Sequence, residues 1–150
     1  MKIINLDHNS SRPLLPEVKA AMVTAIERDY HNPASQHQEG ERAAAALEDA
    51  RESVARLLNC ANPKEIVFTS GGTESVNHAV KGAALANAEK GKHIVISNIE
   101  HNAVIRSARR LQSMGFKVTS VPVDAQGRVD PQAVAKAVTG ETVLVSIMHS

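Results

Sequence analysis

The residues best suited to chemistry form a glycine-containing turn, Ser-Gly-Gly-Thr-Glu-Ser, at residues 70–75. The apolar run at residues 65–69 before it predicts a buried strand, and apolar residues at helical spacing follow it. A glycine pair between a strand and a helix brings the backbone close to an anion, where free N–H groups and the helix dipole favour negative charge. The turn therefore predicts a phosphate site at Gly72 and Thr73, with the threonine hydroxyl as a further donor.

The spacing of this turn excludes two common nucleotide-binding motifs. No Gly-Lys-Ser/Thr follows it, as in a Walker loop, and the third glycine of the dinucleotide fingerprint is absent. We therefore expect a small phosphorylated cofactor rather than a nucleotide. The alternative is a purely structural tight turn, because glycine turns between strands and helices are common.

His101 is the second residue with chemical potential, and it lies shortly after the apolar run at residues 94–96. If the strands are parallel, His101 lies at the same sheet edge as Gly72 and Thr73. An imidazole beside a phosphate site can stack on a flat ring or move protons. The alternative is a surface loop histidine that is hydrogen-bonded to nearby backbone.

Metal and thiol chemistry have little support in the sequence. The seven histidines include no pair at the His-x-x-x-His spacing of a helix, and Cys60 is the single cysteine. We therefore expect no metal site. Cys60 follows a predicted helix end, which is typical of a small helix-end or core residue rather than of a nucleophile.

Strands and helices alternate from residue 65 onward, which predicts a parallel sheet wound by right-handed crossovers. Two helices precede this region, one beginning at Pro16 and one spanning residues 36–58. We expect residues 1–60 to form an N-terminal helical segment and residues 61–150 the first part of an α/β domain. The predicted strands lie at residues 66–68, 94–96, 118–121 and 143–147, and the helices between them at residues 74–88, 103–114 and 131–138.

Composition and charge exclude several classes of protein. The net charge of +1 at pH 7 argues against a nucleic-acid surface. No apolar stretch is long enough to cross a bilayer, the N-terminus lacks the apolar region of a signal peptide, and a single cysteine cannot form an internal disulfide. We therefore expect a cytoplasmic protein that binds neither nucleic acid nor a membrane.

Five motifs together resemble the N-terminal part of cysteine desulfurases of the class V aminotransferase group. These are pyridoxal-phosphate (PLP) enzymes of fold type I, so the resemblance implies an α/β fold with a parallel-rich sheet, preceded by N-terminal helices. Order and spacing match along the whole chain. The motifs are Leu-Asp-His-Asn-Ser at residues 6–10, Asn-Pro-Ala-Ser-Gln-His at 32–37, the run and turn at 65–75, Glu-His-Asn-Ala-Val at 100–104, and Leu-Val-Ser-Ile-Met-His at 144–149.

The resemblance implies roles for individual residues. Gly72 and Thr73 would hold the phosphate of PLP, and His101 would stack on the pyridine ring and assist proton transfer. Asn32 would lie near the active-site mouth or a dimer partner. Asn9, in the N-terminal turn, would approach the substrate.

The activity that the resemblance implies is removal of sulfur from L-cysteine, giving alanine and an enzyme persulfide for iron–sulfur cluster assembly or thiolation. It also implies a homodimer and a sulfur-acceptor or scaffold protein as partner. The alternatives are another class V PLP lyase or aminotransferase, and a truncated, non-catalytic interaction or dimerisation protein.

The chain departs from the family pattern in two respects. Arg12 places a charge where a small hydroxyl residue is usual. The Ser-Gly-His-Lys context of the Schiff-base lysine does not occur in the sequence, and the aspartate for the ring nitrogen, the substrate-binding arginine and the mobile-loop cysteine have no match. We therefore expect this chain to be an N-terminal half that supplies cofactor anchoring only, neither stably folded nor active by itself.

Overall fold

The computed structural model describes residues 4–8 and 10–149, and backbone contacts divide the chain into two compact units. The first unit ends at Val67 and the second begins at Phe68. The first contains α1 (Pro16–Arg28), α2 (Gln38–Leu57) and a short 3-10 helix, η1 (Pro63–Glu65). The second contains α3 (Gly72–Ala86), β1 (His93–Ser97), α4 (Asn102–Ser113), β2 (Lys117–Val121), α5 (Pro131–Ala137) and β3 (Thr142–Ser146).

The helices of the first unit begin where their capping residues predict. Pro16 is the first residue of α1, a position that suits its fixed φ and missing N–H. His37 precedes α2, and its Nδ1 accepts the N–H of Gly40 at 3.3 Å, which starts the helix at Gln38. Within the described residues, no helix combines the length and apolar character needed to span a membrane.

In the described part of the second unit, β1, β2 and β3 form a parallel sheet with the order β2-β1-β3. Val95 of β1 lies opposite Thr119 of β2 and Val145 of β3. The chain passes from β1 to β2 through α4, then crosses back past β1 to β3 through α5. Because such crossovers are right-handed, α4 and α5 cover opposite faces of the sheet. The predicted alternation of strands and helices is confirmed from residue 93 onward.

The core lies between the sheet and helices α3 and α4. The central strand β1 is buried along its whole length, and Ile94 and Ile96 belong to the apolar cluster that both helices share. Burying an aliphatic side chain of this size contributes about 1.5–3 kcal/mol, so this cluster holds both helices firmly on the sheet. The helices contribute Val80, Ala84, Val104, Ala108 and Leu111.

Helices α3 and α4 run in the same direction. Both end close to the amino edge of the sheet, where Lys117 N–H donates to Lys92 O at 2.7 Å. Gly115, with a φ of 90°, ends α4 and turns the chain into β2. Both helices therefore begin at the opposite edge, beyond the carboxyl ends of the strands, where α/β proteins bind their ligands.

The strand predicted at residues 66–68 is wrong. No strand is assigned there, and Val67 and Phe68 are 57% and 46% exposed. Ile66 has extended backbone angles, with φ −81° and ψ 118°, so this residue does adopt the extended conformation that the apolar pattern predicts. A strand also needs a neighbour that pairs with its backbone, and no described segment forms a β-ladder with residues 66–68.

His93 is a buried polar residue that no motif in the sequence indicates. It begins β1 and is 3% exposed. Its Nδ1 lies 2.7 Å from Thr142 Oγ1 and its Nε2 lies 2.8 Å from Thr119 Oγ1, so the ring links β1 to both neighbouring strands. Burial lowers the pKa of His93, Lys117 lowers it further, and Glu141 acts in the opposite direction.

We expect His93 to make folding less favourable in weakly acidic solution. A histidine in the unfolded chain takes up a proton near its usual pKa of 6.5, whereas folded His93 does so only at lower pH. Between these two pKa values the unfolded state binds more protons, so the free energy of unfolding falls as the pH drops below 6.5. Thermal melting from about pH 7.5 to about pH 5.5 measures this, and His93→Gln should lose less stability than the wild type. Equal losses in the two proteins would contradict the prediction.

Candidate functional site

The N-terminus of α3 presents backbone donors that have no acceptor among the described residues. Gly71 is the N-cap, and as a glycine it has no side chain that could accept the first N–H groups of the helix. The first helical hydrogen bond runs from Ser75 N–H to Gly71 O at 3.0 Å. The N–H groups of Gly72 and Thr73 precede that bond, and no hydrogen bond among the described residues uses them. Together with the positive end of the helix dipole, these donors favour an anion.

The side chains of the turn bond to one another and leave those donors open. Thr69 Oγ1 lies 2.6 Å from Ser75 Oγ. Glu74 accepts hydrogen bonds from the hydroxyl and the N–H of Ser70, both at 2.7 Å, and these bonds lower the pKa of its carboxyl. The Glu74 carboxylate is therefore occupied at Ser70 and does not cap the N–H groups of Gly72 and Thr73.

The space beside the turn is open to an approaching anion. A Cβ atom added at Gly71 or Gly72 would meet no atom within 4 Å, so an anion can approach the backbone closely. Thr73 is exposed, and its hydroxyl has no hydrogen-bond partner within the described part of the chain. Backbone and hydroxyl donors around open space are what a phosphate requires, so Gly72 and Thr73 are the residues that would hold one.

His101 is the N-cap of α4, and one of its ring nitrogens is available. Nδ1 accepts the N–H of Ala103 at 3.1 Å. A neutral imidazole that accepts at Nδ1 carries its proton on Nε2. The side chain is exposed, and Nε2 has no hydrogen-bond partner in the described residues. The backbone bond that the alternative interpretation expected is present, and it leaves the proton-bearing nitrogen free to meet a ligand.

The structure brings the start of α3 and His101 to the same level of one sheet edge. Asn77 of α3 accepts a hydrogen bond from Ser107 Oγ of α4 at 3.1 Å and donates to Thr73 O at 2.8 Å. Asn77 lies six residues after the N-cap of α3, and Ser107 lies six residues after the N-cap of α4. Each helix therefore begins about 9 Å from this bond along its axis. The axes of packed helices lie about 8–10 Å apart, so the two N-termini are neighbours at this sheet edge.

Glu100, next to His101, has a buried side chain that links two strand ends. It is 6% exposed, and its Oε1 accepts hydrogen bonds from Ser97 Oγ at 2.5 Å and from Met148 N–H at 2.7 Å. Glu100 belongs to the motif at residues 100–104, but the sequence alone indicates no role for it. Its position three residues after the end of a buried strand and directly before the candidate histidine was the available signal.

The other residues considered from the sequence lie in the first unit or outside the described residues. Asn9 is outside the described residues. Asn32 accepts the N–H of Ala34 at 2.9 Å in a turn, and its place near the substrate stays a prediction. Cys60 lies beyond the end of α2, where its thiol contacts Asn62 O at 3.3 Å. Among residues 4–8 and 10–149, no three His, Cys, Asp or Glu side chains are grouped so as to hold a metal ion.

Curated proteins similar to this chain are longer than it. A cysteine desulfurase IscS of Dictyoglomus turgidum is 44% identical over 98% of the chain, and one of Azotobacter vinelandii is 46% identical over 97%. The chain spans 37% of the length of each of these relatives. Its residues correspond to their N-terminal part.

Solved structures share the fold. A NifS-like protein superposes with a TM-score of 0.87 at 39% identity, covering 95% of this chain and 39% of its own. A structure of SspA in complex with cysteine gives a TM-score of 0.85 at 38% identity, covering 95% of this chain and 41% of its own. These matches confirm the predicted α/β fold of the fold-type-I PLP enzymes.

A family assignment follows from the whole described chain rather than from single motifs. The family described as Aminotransferase class-V matches residues 4–150, which include the start of α3 and His101. Enzymes of this family depend on PLP. The open space at Gly72 and the available ring of His101 are consistent with that cofactor. The chain belongs to the aminotransferase class-V family.

Proposed function

We propose that this chain is the cofactor-anchoring part of a PLP-dependent cysteine desulfurase. The enzyme removes sulfur from L-cysteine, giving alanine and an enzyme persulfide that serves iron–sulfur cluster assembly or thiolation. Relatives called cysteine desulfurase IscS, at 41% to 47% identity, and the cysteine complex of SspA support this reaction. The observation that carries the proposal is the pair of helix N-termini at one sheet edge, one with free donors and one with His101.

In this proposal, Gly72 and Thr73 bind the phosphate of PLP. Their N–H groups and the Thr73 hydroxyl donate hydrogen bonds, and the positive end of α3 stabilises the negative charge. The bond from Asn77 Nδ2 to Thr73 O, at 2.8 Å, keeps the first turn of α3 in place. The site is thus organised before the cofactor arrives, which lowers the entropic cost of binding.

His101 lies against the ring of PLP and moves the substrate proton. When bound, PLP supplies an electron sink that stabilises negative charge on the substrate carbon. The bond from Ala103 N–H to Nδ1 orients the imidazole and leaves Nε2 directed away from the helix backbone. With Nδ1 accepting the Ala103 N–H, the Nε2–H of the neutral ring can donate a hydrogen bond to cofactor or substrate. To take up the substrate proton at Nε2 and later return it, His101 releases the Ala103 bond and carries its own proton on Nδ1.

The proposal also covers the substrate-facing residues, the oligomeric state and the protein partner. Asn9 and Asn32 lie near the substrate, and the protein acts as a homodimer in the cytoplasm. A sulfur-acceptor or scaffold protein receives the persulfide sulfur. These expectations are supported by the family resemblance of the motifs at residues 6–10 and 32–37 and by the IscS relatives.

Turnover of L-cysteine by the whole protein that contains this chain tests the proposal. The purified protein is loaded with PLP and given L-cysteine and dithiothreitol, which releases the persulfide sulfur as sulfide. We expect alanine and sulfide in equal amounts, both dependent on PLP. If the protein binds PLP but forms a different product, the protein is another class V lyase or aminotransferase rather than a desulfurase. A failure to bind PLP would overturn the proposal in favour of a non-catalytic interaction protein.

A further inference from the structure

Glu100 is a buried carboxylate that the proposed reaction does not use. It lies in the loop between β1 and α4, directly before His101, and is 6% exposed. Burying a carboxylate is costly unless hydrogen bonds compensate it. Two are present on one oxygen: Oε1 accepts from Ser97 Oγ at 2.5 Å and from Met148 N–H at 2.7 Å.

These two bonds join three segments at the sheet edge that carries the site. Ser97 is the last residue of β1 and has no exposed surface, and Met148 lies two residues beyond β3. β1 and β3 are paired in parallel, so their ends already lie side by side. Glu100 therefore fixes the loop before α4 against both strand ends, and His101 is the residue at which that loop becomes helix.

We infer that Glu100 is a positioning residue for the His101 ring, and that it acts through the reach of its side chain rather than through its charge. The inference rests on the proposed function of His101. Both bonds go to Oε1, and within the described residues no hydrogen bond uses Oε2. A neutral carbonyl oxygen at the same position can accept the same two bonds. A side chain that is one methylene shorter cannot reach Ser97 and Met148 together.

Two conservative variants separate reach from charge. Glu100→Gln keeps the length and an acceptor oxygen but removes the charge, whereas Glu100→Asp keeps the charge but shortens the side chain. Because a misplacement of about 1 Å can cost about 10²-fold in rate, we expect Glu100→Asp to lose about that factor in kcat. Glu100→Gln should stay within about threefold of the wild type, a loss well under 1.4 kcal/mol. An aspartate variant as active as the glutamine variant, or more active, would overturn the inference.

A double variant tests whether Glu100 acts through His101. If it does, Glu100→Asp should slow the wild type but should not slow a protein that already carries His101→Asn. A purely structural role would instead lower kcat equally in both backgrounds. Glu89→Gln changes an exposed glutamate between α3 and β1, before the amino end of β1 rather than at its carboxyl end, and as the matched control it should leave kcat unchanged.

Two readouts do not depend on activity. The amide of Met148 should be protected from hydrogen exchange in the wild type and in Glu100→Gln, and unprotected in Glu100→Asp. The imidazole NMR signals of His101 should move in the aspartate variant and hold in the glutamine variant. Unchanged Met148 exchange and unchanged His101 signals in Glu100→Asp would overturn the inference.

The outcomes distinguish this inference from the proposed function. If the wild type binds PLP and converts L-cysteine but Glu100→Asp has a higher kcat than Glu100→Gln, only the positioning role of Glu100 is rejected and the proposed function stands. If the wild type neither binds PLP nor converts L-cysteine, the proposed function fails. In that case, the exchange of Met148 and the His101 signals still decide whether Glu100 positions the ring.

Discussion

Replacing His101 by asparagine should lower kcat for L-cysteine by about 10²- to 10⁴-fold, the range that a positioned acid–base group contributes. The ring nitrogen Nε2 is free among the described residues and carries the proton, because Nδ1 accepts the N–H of Ala103. Asparagine offers no ring to stack on the cofactor and no ring nitrogen that can exchange a proton with the substrate. Steady-state kinetics on the PLP-loaded protein measures the effect.

Asparagine is preferable to alanine because His101 has two roles. The residue caps α4, and replacing an N-cap by alanine costs about 0.5–2 kcal/mol, whereas asparagine is among the best caps. His101→Asn should therefore keep the melting temperature while losing activity, and His101→Ala should lose both. His78→Asn, at an exposed histidine of α3, is the matched control and should change neither. Wild-type kcat in His101→Asn would show that the ring has no part in the reaction.

Thr73→Val should raise the Kd for PLP by about 10- to 100-fold. This corresponds to one lost hydrogen bond to a charged group, which is worth about 1.5–3 kcal/mol. Valine has nearly the same shape and the same branching at Cβ, so the first turn of α3 should keep its conformation. Equilibrium titration with PLP, followed by its absorbance, measures the change.

The folded state should not be affected by this substitution. The Thr73 side chain is exposed, and no hydrogen bond of the described residues uses its hydroxyl. Thr24→Val changes another exposed helical threonine in the same way, in α1, and should leave the Kd for PLP unchanged. If Thr73→Val bound PLP as tightly as the wild type, the phosphate would not be held by the Thr73 hydroxyl.

Local sequence patterns were sufficient to predict the two helix starts that form the candidate site. The glycine turn at residues 70–75 predicted a helix N-terminus with open donors, and the alternation of strands and helices predicted that His101 shares its sheet edge. Both placements agree with the structure, because the start of a helix and the direction of a parallel strand are set by nearby residues. The roles of Gly72, Thr73 and His101 stay predictions until the variants are measured.

Residues whose partners are distant in the sequence could not be predicted in this way. Glu100 bonds to Met148, 48 positions away, and His93 bonds to Thr142, 49 positions away. No local pattern shows that two such residues meet, since only the order of the strands brings them together. The bond between Asn77 and Ser107, 30 positions apart, was missed for the same reason.

The error at residues 66–68 has the opposite cause. The local pattern there is apolar and extended, as the angles of Ile66 show, but a strand is defined by its neighbour. Sequence reasoning predicts the conformation of such a segment and leaves its partner undetermined.

A crystal structure of the whole protein with PLP tests the central claim most directly. We expect the phosphate against the N–H groups of Gly72 and Thr73 and the Thr73 hydroxyl, with the His101 imidazole lying on the face of the pyridine ring. A phosphate held elsewhere in the protein, or a His101 ring turned away from the cofactor, would contradict the proposed site.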